Sequence, residues 1–407
     1  MQEWAHRLRI GIYVGEGASH SWTWFVDLLE RFSYSRIRFL SEEDFGRALP
    51  CLDVLMLSGG DTFAVARALE RSGPEALRSF LERGGLYIGS CAGAYLPLHS
   101  SKDHLRSFNF VRGRINNLSR DLPQALALPA KLSTSYGCAY VIHPVREEVV
   151  VRMSEGFPVW GGKDVRVPLY GGPPLRPSDD FVPFAFYSGF TDRTLFLTER
   201  ELAGRVYLGQ VAACEKAIGD GRMVLLGPHF EHPGFPEGNA IVDEWMRWHV
   251  ARSRPRRPAG ADGTAETDGA SGRSEARLTA RALDALKKEV SNMRIRAAAL
   301  AREEISWQIG AKVYEPEKML HFVEAVWTRL APLKPRNGGG PVREHETGDR
   351  LLDLAASCHA GVRDLSARIT GGEETRDSAE AVLCGLRRFT AAFLECYFSF
   401  MTNRGFR

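Results

Sequence analysis

Short, uninterrupted apolar runs alternate with helical patterns in the first part of the chain. The runs lie at 9–15, 54–57 and 86–89, and runs of this length are typical of strands that are covered on both faces. Helical patterns at 22–32 and 76–81 separate them. This β-α-β-α-β order predicts an α/β fold, in which a mostly parallel, doubly wound sheet lies between two layers of helices.

The stretch that follows is rich in glycine, proline and aromatic residues, and it predicts strands joined by long loops. Strand-like runs occur at 148–151 and 181–187. Two further runs, at 206–209 and 223–226, have the composition of buried strands. An amphipathic helix predicted over 240–250 closes this part of the chain.

A segment without large apolar residues divides the chain. Residues 252–274 read RSRPRRPAGADGTAETDGASGRS, a composition that cannot bury surface and therefore predicts a flexible linker. Its basic start, 252–257, is interpreted as part of a solvated tether, with contact to an acidic partner as the alternative. We predict an α/β domain over 1–252, a flexible linker over 253–274 and a helical bundle domain over 275–407.

Beyond this linker, apolar residues recur at helical spacing. Four helices are predicted, with apolar positions that run over 283–307, 319–330, 351–369 and 386–400. Helices of this kind bury their apolar faces against one another, so a helical bundle is the expected arrangement. This domain is also the candidate site for a protein partner or for self-association.

Composition and charge exclude several classes of function. The 407 residues carry a formal net charge of +3, which gives no reason to expect a nucleic-acid partner. No apolar segment approaches the ~20 residues of a membrane span, so we expect a cytoplasmic protein without membrane contact. The seven cysteines form no CxxC pair, and the histidines of the helical half lack metal-ligand spacing. Neither a metal nor a cofactor is predicted.

One cysteine lies in a sequence that is typical of a nucleophile. Residues 84–96 read GGLYIGSCAGAYL, in which a buried strand runs into Gly-Ser-Cys-Ala-Gly and then into a helical stretch. A nucleophile on such a sharp turn needs small neighbours, which Gly89 and Gly93 supply. The helix start favours the thiolate of Cys91 and leaves the Ala92 N–H as an oxyanion donor. The alternative is a buried structural cysteine.

A second glycine-rich loop follows another buried strand. Residues 55–62 read LMLSGGDT, and a glycine pair lets a backbone N–H approach a reacting carbonyl without an intervening side chain. Gly60, or else Gly59, is therefore the second candidate oxyanion donor. A plain strand-to-helix turn is the alternative interpretation.

A histidine and a carboxylate follow a third buried strand. Residues 223–233 read MVLLGPHFEHP, and an H-x-E spacing on an extended segment puts His229 and Glu231 on the same side of the chain. Glu231 then orients the ring, and the other ring nitrogen faces the thiol as a general base. His232 is a rival base, but it is out of phase with Glu231.

The motifs SGGDT, GSCAGAY and GPHFEHP, in this order, resemble the class I glutamine amidotransferase-like superfamily. Within it, the chain is most similar to the amidotransferase-like N-terminal domain of biotin–protein ligases. IYVGEGAS near the N-terminus and YGGP at 170–173 extend this resemblance over roughly residues 8–250. It implies a flavodoxin-like fold, with Cys91 as the nucleophile, His229 as the base and Glu231 as the orienting acid.

The resemblance also implies further substrate-binding residues. Asp61 belongs to the SGGDT motif, and the glycines beside Tyr170, Gly171 and Gly172, allow a ligand to approach closely. A tight turn is the alternative for the last three residues.

The chain departs from glutaminases after the nucleophile, where Ala94 and Tyr95 stand in place of the usual Gln, and it lacks a biotin-ligase signature after the linker. We predict an amidase- or glutaminase-like hydrolase that cleaves an amide C–N bond of a small molecule or peptide through a thioester. One alternative is a binding or regulatory module with an amidotransferase-like pocket and little turnover. Another is a scaffold whose helical domain is the functional part.

Overall fold

The computed structural model describes residues 7–117, 143–252, 279–334 and 343–403. The chain divides into two compact units. One comprises Met1–Tyr34, Leu40–Pro255 and Gly310–Lys312, and the other comprises Ser35–Phe39, Arg256–Ile309 and Val313–Arg407. The linker predicted over 253–274 lies outside the described residues.

A nine-stranded mixed sheet is the main element of the first part of the chain. Its strands are β1 Ile10–Tyr13, β2 Ile37–Leu40, β3 Val54–Leu57, β4 Leu86–Ser90, β5 Val145–Met153, β6 Asp164–Leu169, β7 Val182–Phe196, β8 Val211–Ile218 and β9 Gly221–Leu226. The order across the sheet is β2-β1-β3-β4-β9-β8-β7-β5-β6. β1, β3, β4 and β9 pair in parallel, whereas β9-β8-β7-β5-β6 is an antiparallel series.

Helices accompany this sheet, as the predicted α/β fold class requires, and the class is confirmed. They are α1 Trp22–Arg31, α2 Glu42–Ala48, α3 Thr62–Ala68, α4 Gly73–Glu82, the short α5 Ala92–Tyr95, α6 Arg200–Tyr207 and α7 Pro236–Arg252. Two 3-10 helices span Leu49–Cys51 and Leu105–Phe108. Pro74 lies in the first turn of α4, where its missing N–H leaves no helical hydrogen bond unmade.

The parallel strands end at one edge of the sheet. β3 and β4 are buried along their whole length, so their side chains are covered on both faces. β4 pairs with β9 from Leu86 opposite Arg222 to Ser90 opposite Leu226. The loops that follow β3, β4 and β9 therefore leave the sheet side by side, although they are far apart in the sequence.

The strand predicted at 206–209 is wrong. Ala203, Val206 and Tyr207 are buried together on one face of α6, a helical spacing that begins three residues before the predicted run. Gly209 has a φ of 76° and turns the chain, and β8 begins at Val211. A short apolar run at the end of a helix therefore had the composition of a strand.

The second unit is built mainly from helices. They are α8 Ala280–Leu300, α9 Glu317–Leu330, α10 Arg343–Thr370 and α11 Arg376–Asn403, with a hairpin of β10 Trp307–Ile309 and β11 Lys312–Tyr314 after α8. α8 packs against α9 and α10, and α11 packs against the same two helices. The predicted helical bundle is confirmed for the described residues.

The first helix of this bundle ends earlier than predicted. The apolar face from Leu283 to Leu300 is buried as expected, but α8 ends at Leu300 and Trp307 lies in β10. The Trp307 ring is buried, and its Nε1–H donates to Thr375 Oγ1 at 2.9 Å. The helical spacing of Trp307 was therefore coincidental, since a strand brings this residue into the core.

Candidate functional site

Cys91 lies at a strained turn between β4 and α5. Its φ is 50° and its ψ is −108°, a region that costs a non-glycine residue about 1–3 kcal/mol. The Cys91 N–H donates to Leu226 O of β9 at 3.0 Å. A Cβ at Gly93 would lie 2.0 Å from Leu57 O, and one at Gly89 would lie 2.3 Å from Gly93 O. The two glycines are therefore required by close backbone packing at the turn.

The loop after β3 is held rigidly beside this turn. Ser19 N–H donates to Gly59 O at 3.0 Å, and Asp61 N–H donates to Gly17 O at 2.8 Å. A Cβ at Gly60 would lie 2.1 Å from Gly17 O, so only glycine fits there. Among the described backbone groups, neither the Gly60 N–H nor the Ala92 N–H donates a hydrogen bond. Both donors are thus available to a ligand.

His229 and Glu231 form a buried pair next to Cys91. His229 Nδ1 and Glu231 Oε1 are 2.8 Å apart, and the side chains are 2% and 0% exposed. The same imidazole acts on the Cys91 thiol, whose pKa it lowers through a side-chain hydrogen bond and its charge. Gly59 lies against this ring, since a Cβ there would be 3.0 Å from His229 Cε1. The structure therefore brings the three residues of the predicted triad into one chain of contacts.

Two serines complete the environment of Glu231. Ser90 Oγ donates to Glu231 Oε1 at 2.5 Å, and Ser58 Oγ donates to the same oxygen at 2.8 Å. Ser21 Oγ lies 3.0 Å from Ser58 Oγ and donates to it, since the single hydroxyl proton of Ser58 is directed to Glu231. Sequence reasoning did not identify these serines, although Ser58 and Ser90 are polar residues at the ends of buried strands. Several donors on one carboxylate oxygen stabilise the ionised form of Glu231.

The protonation states of the three groups follow from these contacts. Burial favours the neutral form of each, but the charge and hydrogen bond of His229 hold the pKa of Glu231 below its ordinary value. Burial lowers the pKa of His229, yet the charge of Glu231 and the bonds to Cys91 and Glu231 raise it to about 9. Burial raises the pKa of Cys91, but the hydrogen bond and charge of His229 lower it overall. Both directions favour a thiolate–imidazolium pair over a neutral thiol–imidazole pair.

Burial has the opposite net effect on three other cysteines, of which Cys214 and Cys358 are buried and Cys396 is half-buried. Burial raises the pKa of the Cys214 thiol above its ordinary range, that of Cys358 to about 12 and that of Cys396 to about 11. Cys91 is just as buried, but it has an imidazole as a partner. The lowered pKa of Cys91 thus results from His229 and not from its position in the core.

Aromatic rings surround His229. Trp24 packs edge-on against His229 with ring centroids 5.0 Å apart, and the Tyr170 ring lies 5.8 Å from His229. Gly171 has a φ of 107°, and a Cβ at Gly172 would lie 1.6 Å from Gly227 O. The Tyr170–Gly172 segment is therefore pressed against the loop that follows β9, beside His229. Trp24 was not predicted as a site residue, because its contacts depend on how α1 packs.

Two predicted candidates have other contacts. Asp61 is the N-cap of α3, where its Oδ1 accepts from Phe63 N–H at 2.9 Å and Ala64 N–H at 3.1 Å. His232 packs on Trp24 with ring centroids 4.5 Å apart, and its Nδ1 accepts from Gly234 N–H at 3.1 Å. Asp61 therefore caps the start of a helix. His229, and not His232, is the histidine that contacts Glu231.

Asn239 of α7 fixes the loop that carries His229 and Glu231. Its Nδ2 donates to Phe230 O at 2.8 Å and to His232 O at 3.0 Å, and its Oδ1 accepts from Arg31 Nη1 at 2.7 Å. The side chain is completely buried. One amide thus satisfies two carbonyl groups on either side of Glu231.

Asn239→Leu is expected to destabilise the protein by at least about 2 kcal/mol, because it leaves two buried carbonyls and one guanidinium without this partner. Urea unfolding of the full chain measures this change. Asn109→Leu is the control, since Asn109 accepts only one backbone bond, from Ser100 N–H at 2.7 Å. Equal destabilisation by the two variants would contradict the role assigned to Asn239.

Within the described part of the chain, no cluster of three or more His, Cys, Asp or Glu side chains could hold a metal ion. Among the described helices, none combines the length and the apolar character needed to cross a bilayer.

Residues 46–103, which contain SGGDT and GSCAGAY, match the family described as "Biotin-protein ligase, N terminal". The resemblance predicted from these motifs is confirmed over this segment. No curated protein matches the chain.

Solved structures that are similar to part of this chain include three proteins. A protein from Thermoplasma acidophilum that is described as one subunit of GMP synthase is 13% identical with a TM-score of 0.37, covering 60% of this chain and 96% of its own. A glutamine amidotransferase is 12% identical with a TM-score of 0.39, and the match covers 60% of this chain and 99% of the amidotransferase. A β-galactosidase from Rahnella sp. R3 is 10% identical with a TM-score of 0.35, and the match covers 60% of this chain and 32% of the β-galactosidase. Similarities this low carry no information on activity.

Proposed function

We propose that this protein is a hydrolase or amidotransferase-like enzyme that cleaves an amide C–N bond through a thioester on Cys91. The Cys91 thiolate attacks the carbonyl carbon, and the Gly60 and Ala92 N–H groups stabilise the oxyanion that forms. The His229 imidazolium donates its proton to the leaving amine as the C–N bond breaks. A water molecule, deprotonated by the now neutral His229, then hydrolyses the thioester and restores the thiol.

The observation that carries this proposal is the buried Cys91–His229–Glu231 chain at a strained turn. Structural cysteines are inert when buried, whereas a thiol next to an imidazolium is largely ionised. The positive φ of Cys91 persists only because the surrounding backbone fixes it. Glu231 is held by Ser58 and Ser90, so the imidazole keeps one orientation. These are the parts that a nucleophile, base and orienting acid need.

The pH dependence of Cys91 alkylation tests the ionisation on which the proposal depends. With iodoacetamide and the full chain, the alkylation rate of Cys91 should reach its maximum at a lower pH than that of an ordinary cysteine, since its pKa is lowered and the thiolate is lost only as pH falls through that lowered value. An ordinary cysteine gains this reactivity only above a pH of about 8.5. Peptide mass spectrometry assigns the label, and Cys358, whose pKa burial raises to about 12, is the unreactive internal control.

The pH profile of turnover should have a second limb, on its basic side. It is expected to fall as pH rises through about 9, because His229 then loses the proton that the leaving amine requires. An alkylation profile of Cys91 like that of an ordinary thiol would contradict the proposal. That result would favour a binding or regulatory module with an amidotransferase-like pocket.

A further inference from the structure

A short turn from the second half of the chain belongs to the first compact unit. It comprises Gly310–Lys312, and its first two residues connect β10 to β11. Gly310 has a φ of 60°, and a Cβ there would lie 2.5 Å from Asp61 Oδ2, so glycine is favoured at this position. The turn lies outside residues 8–250, over which the chain resembles the amidotransferase-like family. The motifs that carry this resemblance therefore assign the turn no role.

Asp61 holds this turn with the carboxylate oxygen that the helix cap leaves over. Its Oδ2 accepts from Ala311 N–H at 2.7 Å, whereas its Oδ1 caps α3. The side chain is buried, and a hydrogen bond to an ionised acceptor is among the stronger ones in proteins. Asp61 directly follows Gly60, so the turn is fixed next to the loop of the candidate oxyanion donor.

The same loop contacts the helix of the nucleophile. Thr62 Oγ1 donates to Ala92 O at 3.4 Å, and α3 packs against α5. Ala92 is the residue that follows Cys91. Asp61 and Thr62 therefore connect the turn at 310–312 to the start of the helix that carries the thiol.

Lys312 adds a positive charge to this arrangement. It follows Ala311 directly and is half-buried. Burial raises the pKa of the Cys91 thiol, the hydrogen bond and charge of His229 lower it, the charge of Lys312 lowers it as well, and the charge of Glu231 raises it. Charges attract each other more strongly where water is excluded, so a cation near the buried thiol favours the thiolate.

We propose that Asp61 holds Lys312 where its positive charge stabilises the anionic sulfur of Cys91. Lys312 is then a positioning residue, since it acts through the nucleophile and its role requires no contact with the substrate. The inference rests on the proposed function, because it concerns the nucleophile of that reaction. It adds a cation from outside the part of the chain that resembles the family.

The pH profile of Cys91 alkylation by iodoacetamide, measured on the full chain, tests this role. The reagent is neutral, so the charge of Lys312 does not attract it. In Lys312→Met the profile should move to higher pH, and the rate on its rising limb should fall roughly threefold or more. At high pH the variant should react at least as fast as the wild-type chain, because a thiolate of higher pKa is the better nucleophile. Lys312→Arg keeps the charge and should stay within about twofold of the wild-type rate.

Asp61→Asn tests the anchor separately from the charge. Asparagine still caps α3 with Oδ1, but its amide group then meets the Ala311 N–H as a second donor. Removal of the Asp61 charge alone would favour the thiolate and speed alkylation, whereas displacement of Lys312 slows it. We expect slower alkylation, and no further slowing when Asp61→Asn is added to Lys312→Met. Faster alkylation in Asp61→Asn would contradict the role of Asp61.

Lys163→Met is the matched control, because it removes the same charge from an exposed lysine whose Nζ lies 5.4 Å from the centroid of the Trp160 ring. An unchanged profile in Lys312→Met, or an equal shift in Lys163→Met, would overturn the assignment. So would a Lys312→Arg variant as slow as Lys312→Met, or slow alkylation of Lys312→Met at every pH, which indicates lost access. The proposed function fails in a different way: the wild-type profile itself would then be that of an ordinary cysteine.

Discussion

Cys91→Ser is expected to slow acylation of the protein by at least about 10³-fold, as the loss of a nucleophile does in hydrolases with a comparable triad. Serine is close to cysteine in size, so the strained turn and its glycine contacts should be retained. A hydroxyl, however, needs a neutral base to remove its proton. The charge of Glu231 and its hydrogen bond, which oppose the effect of burial, help to keep the pKa of His229 near 9.

The measurement uses p-nitrophenyl acetate, which transfers an acetyl group to a reactive thiolate and releases p-nitrophenolate. Peptide mass spectrometry should find the acetyl group on Cys91 of the wild-type chain and not in the Cys91→Ser variant. Cys51→Ser is the control, since Cys51 is an exposed thiol and its loss should leave the rate unchanged. Acylation of Cys91→Ser within tenfold of the wild-type rate would exclude Cys91 as the nucleophile.

His229→Asn is expected to reduce alkylation of Cys91 at neutral pH by about 10²-fold or more, the usual contribution of a positioned base. Burial raises the pKa of this thiol, and the hydrogen bond and charge of His229 are the largest effects that lower it. Without the imidazole, burial dominates and the thiol is protonated at neutral pH. Asparagine is chosen because its amide can still donate to Glu231, so the buried carboxylate keeps a partner.

The pH dependence of alkylation in His229→Asn shows whether the variant has lost the thiolate or only the access to it. Since the variant lacks thiolate and not access, its alkylation rate should recover as pH rises, whereas blocked access would leave it slow at every pH. His232→Asn is the matched control, because His232 is three residues further along the same loop and packs on Trp24. A loss of reactivity in His232→Asn as large as in His229→Asn would make His232 the base instead.

The parts of the fold that could be predicted from sequence are those specified by local patterns. The runs at 54–57 and 86–89 are strands because continuous apolar residues suit a sheet covered on both faces. The four bundle helices follow their apolar spacing. The two predictions that failed have local causes as well. The apolar run at 206–209 was predicted as a strand, but it begins in a helix, and Trp307 keeps the helical spacing although it lies in a strand.

The contacts around Glu231 could not be predicted in this way. Ser58 and Ser90 are 173 and 141 residues away from Glu231 in the chain, and Asn239 acts through a helix whose packing no motif specifies. The same is true of Trp24 against His229, because it depends on the face of α1 that meets the loop after β9. Single residues of common types, far apart in sequence, leave no pattern to recognise.

The properties of the cysteine in GSCAGAY depend on both the sequence and the tertiary structure. The sequence by itself determined the strained turn, since glycines on both sides of Cys91 are needed wherever a strand bends sharply into a helix. It did not determine how His229 meets Glu231: the H-x-E spacing predicted an extended segment, whereas the two residues lie in a turn in which the His232 N–H donates to His229 O at 3.1 Å. Only the tertiary structure decided the ionisation of the thiol, because a pKa depends on burial and on the distance to charged groups, and both arise when β4 and β9 pair.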